Sequence, residues 1–485
     1  MKKSTICNHE DHEKWSRKAF LQSIGLAGAG SLAFANSSAR PNLKIATSNL
    51  WNLSDDYGMP TYMDSLEPLW GDGQMKIVHS VGYENHSQSH FKGSDIWATA
   101  ETEGQENGWL GKYYEYLHPD YLTNPPETPT AIQIGGKKNL TFQGDESDYS
   151  FAVSSITRLN QIAKNGTNYG IENLPDCTHG DLVKTTRSIA NSTYAYSDVI
   201  AEAYDKATDY TQGDGYGTDD FASSLALIAR LIKGGLGTKV YMLTLNGFDT
   251  HASQNNDHPA LLENLSKSVS YFYEDLKNAG WADKVLSMGI SEFGRRVAEN
   301  GSEGTDHGTS CPVLFFGDGL KGSGFVGKHA SLEAGDLVNG RDLKHHTDFR
   351  NVYATVLKEW MCVDERIVDD LVLGGSYDTV SLGFECSTGS LSTAEVQDNP
   401  FQTEVFYEHK NTYIALNANN TQHVVVKLHS LSGQDLGMLM NEMLYEGNSK
   451  QIAVNAAMGY SLTQGYYIYS VSSNRTRYSK KLMIL

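Results

Sequence analysis

Cysteine is scarce: Cys7, Cys177, Cys311, Cys362 and Cys386 are the only ones in 485 residues. They are too few and too scattered for a disulfide scaffold. No Cys-x-x-Cys pair occurs, which argues against a structural zinc knuckle. An exported chain could still join two of them. Basic residues are also in deficit, with 39 Lys and Arg against 58 Asp and Glu for a net charge of −19. Such a chain has no electrostatic excess to attract phosphate backbones, so no nucleic-acid partner is expected. Past the N-terminal segment, no run approaches the ~18 apolar residues of a membrane-spanning helix. Wholesale disorder is excluded in turn by 39% apolar and only 20% charged residues.

At about 150 residues per domain, the length suggests two to three domains and ample room for a buried core. The 46 glycines and 27 tyrosines lean toward a loop-rich exported protein. The N-terminus supports this. A polar stretch ends at Ser16-Arg17-Lys18-Ala19-Phe20-Leu21, apolar or small residues run from Ile24 to Ala35, and Ala33-Phe34-Ala35 offers a small-x-small cleavage site. This is signal-peptide anatomy over residues 1–38. The Ser-Arg-Lys-x-Phe-Leu block resembles a twin-arginine export signal with Lys18 in place of the second arginine. Cys7, His9 and His12 look metal-like but lie in the segment expected to be removed.

Residues 40–380 read as one α/β domain. Met75–Val81 and Lys239–Leu245 have strand character, as do Val285–Ile290 and Pro312–Phe316. Helical patterns fill 181–236, stopping at Gly234-Gly235. A further helix is expected to start near Pro259, and another over Phe349–Met361, with Asp348 as its simplest N-cap. Alternating strand and helix argue for a doubly wound, mainly parallel sheet. A Ser/Thr-rich linker at 381–400 follows. Beyond it the pattern turns to short alternating runs, and residues 401–485 read as a small all-β sandwich.

Polar residues cluster just past three of these strands, where open α/β sheets bind ligands. The clusters are Tyr83 to Phe91, Gly247 to His251, and Ser291 to Arg296 continued by Gly304 to Gly308. Asp and His together form a mixed oxygen and nitrogen set suited to zinc, manganese or iron. Two such ions would activate a hydroxyl nucleophile and neutralise a transferring phosphoryl or sulfuryl group. Asp249 and His251 are two residues apart and can face one ion from a turn. Asp306 and His307 need a bend, which Gly304 and Gly308 allow. Arg295 or Arg296 could clamp an anionic oxygen. Plain structural roles compete with each assignment. Asp249 could cap a loop, Asp306-His307-Gly308 could be only a turn, and Glu292 could pair with Arg295 or Arg296. His345 and His346 could be solvated loop residues. Ser89 beside His90 is a weak nucleophile signal, because adjacent residues rarely form a serine–base pair.

The blocks SVGYENHSQSHFKGSDIW, GWLGKYYE, NGFDTHASQ, SEFGRRVAENGSEGTDHGTSCPVLFFG and TDFRNVYATVLKEW, in this order, resemble a family of exported bacterial proteins known as domain-of-unknown-function family 1501. That family is placed in the alkaline phosphatase–sulfatase superfamily. The resemblance covers about residues 40–375 and implies a doubly wound α/β fold with a dinuclear metal site. It implies metal roles for Asp249, His251, Glu292, Asp306 and His307. Ser89 and Arg295 become candidate catalytic residues, with His90 and Arg296 as further site residues. A divalent metal is the expected cofactor, with no nucleotide cofactor. The family usually opens with an apolar strand ending in a Gly-Gly-Asn-Asp-Gly-like loop that carries a metal aspartate. Here Ser38 runs almost directly into Arg40-Pro41-Asn42-Leu43-Lys44-Ile45, and that strand and ligand are absent.

The C-terminal segment resembles the type IX secretion sorting domain of Bacteroidota. It carries Asn399-Pro400, the Leu431-Ser432-Gly433 turn, Gly447, Gly465-Tyr466-Tyr467-Ile468-Tyr469 and a final Lys480-Lys481-Leu482-Met483-Ile484-Leu485. This implies the type IX machinery as partner and a route through the periplasm to the medium or the outer-membrane surface. The expected function is hydrolysis of a phosphate or sulfate ester, on a small molecule or a surface polymer. The alternative is a catalytically degenerate secreted or surface binding protein of the same fold.

Overall fold

The computed structural model describes residues 39–384 and 401–484, leaving aside 163–168, 170–177, 210–214, 431–434, 474–476 and scattered single or paired positions. The signal-peptide assignment, and the linker assignment from residue 385 on, lie outside the described residues. So do Asn399-Pro400 and the Leu431-Ser432-Gly433 turn. Two compact units form, one of Met1–Tyr113 with Pro126–Cys386 and one of Tyr114–Pro125 with Ser387–Leu485.

The first unit is a mixed α/β body. A short antiparallel pair, β1 (Leu50–Asn52) and β2 (Gly58–Pro60), precedes the long strand β3 (Met75–Gly82). All eight residues of β3 are buried, as expected for a strand covered on both faces. Helix α1 (His90–Thr99) follows, then strands β4 (Ala131–Ile134) and β5 (Ser150–Val153). Helices α2 (Thr178–Lys206) and α3 (Asp220–Lys233) lead to β6 (Val240–Met242), helix α4 (Gln254–Asn278) and β7 (Ser287–Gly289). Then come β8 (Cys311–Phe316), β9 (Gly324–Val326), β10 (Thr347–Asp348) and helix α5 (Phe349–Thr355).

Local chemistry explains the element ends. The Asp219 carboxylate accepts from Phe221 N at 3.0 Å and Ala222 N at 3.1 Å, capping α3; such a cap contributes about 1 kcal/mol. Gly234 closes the helix, and Gly235 turns out of it at φ +79°, where glycine carries no Cβ penalty. Asp348 caps α5 through Arg350 N at 2.9 Å, the role its position suggested. Two ends differ from expectation. Helix α4 begins at Gln254, so Pro259 lies inside it, one backbone hydrogen bond short. Helical α geometry after Asp348 ends at Thr355 and widens into a looser turn over Val356–Trp360.

The strands do not join into one doubly wound sheet. One sheet has the order β10-β3-β8-β7, with β9 also on β3, and the other has the order β5-β4-β6. The second is parallel throughout. In the first, β9 and β10 run parallel to β3, whereas β8 is antiparallel to both β3 and β7. Strands β6 and β7 are sheet edges, and all their residues are half-buried. No described strand bridges these two edges. One apolar core nevertheless packs residues near both edges, with Tyr241 and Leu243 beside Leu314 and Phe316, under Leu262, Phe272 and Leu276 of α4.

The second unit has two antiparallel sheets. Their strands are β11 (Phe401–Glu408), β12 (Asn411–Ala418), β13 (Gln422–His429), β14 (Asp435–Leu444), β15 (Ser449–Ala453), β16 (Gly465–Ser473) and β17 (Arg477–Ile484). The orders are β11-β12-β15 and β14-β13-β16-β17. Ile414 and Leu416 of one sheet share a core with Val424, Val426, Tyr469 and Val471 of the other.

Cys311 is buried with a free thiol, whereas Cys362 is disulfide-bonded. Among the described residues, no helix is long and apolar enough to cross a membrane.

Candidate metal centre

Three loops at strand ends of the body meet. The loop after β3 delivers His90 at the start of α1. The loop after β6 delivers Asp249 and His251. The segment after β7 doubles back on itself, pairing Arg295 with His307 in an antiparallel bridge. Gly308 N bonds to Gly294 O at 2.8 Å, and Arg296 N bonds to Asp306 O at 3.0 Å. Glycine is required here by crowding. A Cβ on Gly308 would lie 2.5 Å from the Arg295 carbonyl carbon, and one on Gly304 would lie 2.3 Å from that of His251.

Asp249 is the hub. Its Oδ1 lies 2.8 Å from His307 Nε2, 3.0 Å from His251 Nε2 and 2.7 Å from Arg295 Nη2, and its Oδ2 lies 3.1 Å from His90 Nε2. The Nε2 atoms of His251 and His307 are themselves 2.9 Å apart. Each ring is held from behind through Nδ1. His90 Nδ1 is 2.7 Å from Glu292 Oε1, and His251 Nδ1 is 3.2 Å from Asp306 Oδ1. His307 Nδ1 donates to the Gln88 carbonyl at 2.8 Å.

This outer ring of acceptors fixes the tautomer. A carbonyl can only accept, so the His307 proton sits on Nδ1, and its Nε2 lone pair faces the Asp249 carboxylate in the neutral ring. Lone pairs that converge this closely need a cation or an extra proton among them. Hydrogen bonds to Asp249 and Glu292 push the His90 imidazole up to about 9, against the opposing effect of burial. Burial raises the Asp249 carboxyl, but its close contacts with His307, His90 and Arg295 outweigh it and hold the group well below the usual carboxylate range.

A divalent metal fits the same donors. His90, Asp249 and His307 each offer a ligand atom, and these lie within 4.8 Å of one another. Two ligand atoms about 2.1 Å from one tetrahedral ion are about 3.4 Å apart, slightly wider than the spacings around Asp249. Metal-bound histidines characteristically pass their second ring proton to a carboxylate or carbonyl, and all three histidines here do so.

The candidate residues fall into layers. Asp249, His251, His307 and His90 converge. Glu292, only 3% exposed, and Asp306 stand one layer out, behind imidazoles, rather than at the converging point. Asp306 also pairs with Arg296 at 2.9 Å and Asn300 at 3.0 Å; the Asn300 hydrogen bond is the main influence lowering its carboxyl, against the opposing effect of burial. Arg295 is buried and donates to Thr305 O, Phe248 O and Asp249. Its guanidinium thus fastens the Asp249 loop, instead of reaching for a substrate oxygen. Ser89 is exposed at the N-cap of α1, and its hydroxyl makes no cap hydrogen bond.

Three contributors were not anticipated. The Phe293 ring lies 4.2 Å from His307 and 4.9 Å from His90, centroid to centroid, and walls the centre. The Gln88 carbonyl and Asn300 orient His307 and Asp306. Phe293 was visible only as the middle of the Glu-Phe-Gly block, and a backbone carbonyl leaves no trace in a sequence.

Residues 79–372 match the family described as protein of unknown function, DUF1501. The chain belongs to the DUF1501 family. The matched span contains all three loops of the centre, so the converging residues lie within the part that defines DUF1501 membership. No curated protein matches the chain.

Proposed function

We propose that this DUF1501 protein is an exported metal-dependent hydrolase of phosphate or sulfate esters. The observation that carries the reading is the convergence of the His90, His251 and His307 Nε2 atoms on Asp249, each ring oriented from behind by an acceptor. Asp249 and the three histidines would hold the ion, with Glu292, Asp306 and the Gln88 carbonyl orienting the rings. A bound divalent ion would polarise an ester oxygen and lower the pKa of a coordinated water. The protein's own residues supply the rest. Arg295 anchors the Asp249 loop, Phe293 limits water on one side, and Ser89 is the exposed hydroxyl beside the centre. The resemblance to the alkaline phosphatase–sulfatase superfamily supports the ester class. Cys362 in a disulfide supports export, since such bonds persist in oxidising compartments. The C-terminal sheets would serve as a type IX sorting domain, taking the chain from the periplasm to the medium or the cell surface.

A second reading is a binding protein that keeps the fold without turnover. It is favoured by the absence from the sequence of the apolar strand and aspartate with which the resembling family usually opens. Elemental mass spectrometry on the purified chain, followed by assays with aryl phosphate and aryl sulfate, separates the two. Stoichiometric metal that His307→Ala removes, together with metal-dependent turnover, supports the hydrolase. Metal without turnover supports the binding protein. A folded chain without metal rejects the centre.

A further inference from the structure

On the same end of the body, a cationic surface stands out from a chain of net charge −19. Strand β3 bulges between Val78 and Val81, and Ser80 takes the left-handed conformation at φ +50°. This one residue gathers two loops. Its hydroxyl accepts from Ala330 N at 2.8 Å, and its carbonyl accepts from His346 N at 2.9 Å. Because β9 and β10 both run parallel to β3, Lys328-His329 and Lys344-His345-His346 are brought side by side. Lys328, Lys344 and His346 are exposed. The titratable neighbours that act on His346 are Lys328, Lys344, His345 and His329; burial first, and then the two lysines, depress its imidazole. The nearby carboxylates are already engaged, Asp342 with Gln88 and Asp348 with Arg350.

The patch adjoins the metal centre. Ser310, three residues after His307, donates to Leu343 O at 3.4 Å and to Lys344 O at 3.5 Å. On the other side, a Cβ at Gly82 would lie 3.1 Å from His345 Cβ and 3.3 Å from the His86 ring, in the loop that leads to His90. The Lys344–His346 segment is therefore bounded by two of the loops that build the centre.

We propose that Lys328, Lys344 and His346 form a subsite for a second anionic group of the substrate, so that the ester carries more than one phosphate or sulfate. This rests on the ester-hydrolase reading of the adjoining centre. Lysine ammonium groups act as point charges toward such oxyanions, and a local positive field draws anions to a protein that repels them elsewhere.

The test is calorimetric binding to metal-loaded and metal-stripped protein. The probes are p-nitrophenyl sulfate, a trisulfated disaccharide and a hexose bisphosphate. The multiply charged probe of one anion type should bind about tenfold more tightly than the monosulfate, and which type does so distinguishes sulfate from phosphate. In Lys328→Gln/Lys344→Gln that preference should vanish, with metal content and melting temperature unchanged. Lys277→Gln, near the far end of the 25-residue α4, should retain it. Equal affinity for all probes, a preference surviving the double substitution, or loss of metal in the double variant would each overturn the subsite. The preference is readable in metal-stripped protein, so absence of a metal centre and absence of the subsite are separate results.

Discussion

The two units build order from opposite kinds of contact. In the C-terminal unit, three successive strand pairs form antiparallel hairpins, β11-β12, β13-β14 and β16-β17, and burial alternates along β12 from Thr412 to Ala418. Its core residues are those that a period of two predicts. In the body, the decisive contacts are long-range. His90 meets Asp249 and Glu292, and His307 meets Gln88, across 159 to 219 positions of chain. Local pattern suffices to form the first kind of unit. The second depends on which strand ends lie side by side, and three loops with unrelated local sequences must close on one carboxylate.

The sharpest way to break the comparison is to remove the hub. Asp249→Asn should abolish stoichiometric metal binding, read by elemental mass spectrometry. It should also destabilise the body modestly, because the buried Arg295 loses the counter-charge of the half-exposed Asp249 but keeps its two carbonyl acceptors. The C-terminal sheets should keep their own melting transition in calorimetry. If both units melt together and shift together, their independence is refuted. The converse substitution, Leu416→Ala in the fully buried C-terminal core, should cost about 2–5 kcal/mol there and leave metal content unchanged.

A smaller effect comes from acid. Burial lowers the imidazoles of His79 and His258 to about 4, below the ~6.5 of an unfolded chain. Both are neutral in the folded body, so the unfolded state takes up protons first as pH falls. Body stability is therefore full above about 6.5 and declines toward pH 4, by roughly 2 kcal/mol per histidine at pH 5. Denaturant titrations at pH 7 and pH 5 should show this, and His79→Phe should remove part of the difference. An acid-insensitive body would contradict the buried neutral state. The smallest expected effect belongs to the outer layer. Glu292→Gln keeps an acceptor beside His90 but loses its charge, and should weaken metal affinity about tenfold with the fold intact. Complete loss of metal in that variant would make Glu292 a ligand itself.

Much of the frame was legible before the structure. Met75–Val81 reads as a strand from its apolar run, α3 from its spacing and terminal glycines, and the C-terminal strands from alternation. The short edges β6 and β7 were overestimated, because apolar residues such as Leu243, Leu245 and Val285 serve a core without needing strand pairing. The clusters around Asp249, His251 and His307 were legible from residue type as a mixed oxygen and nitrogen donor set that could hold a metal. The layering was not, because whether a carboxylate binds an ion or steadies a ring depends on which imidazole nitrogen it meets. Glu292 and Asp306 meet Nδ1, and Asp249 meets Nε2. Arg295 likewise reads as an anion clamp until its donors are seen directed at Asp249 and two carbonyls.

Local sequence therefore settled the course of α3, the Asp348 cap, the switch from α/β to all-β and the residue types available for a metal, since each depends on neighbours a few positions away. Tertiary structure decided that β8 runs antiparallel, that the body's described strands divide among three separate sheets, that three imidazoles share one aspartate, and that the segments carrying Lys328 and Lys344 are both tied to Ser80. Those outcomes depend on strand order and register, which set distances between residues whose separation along the chain carries no such information.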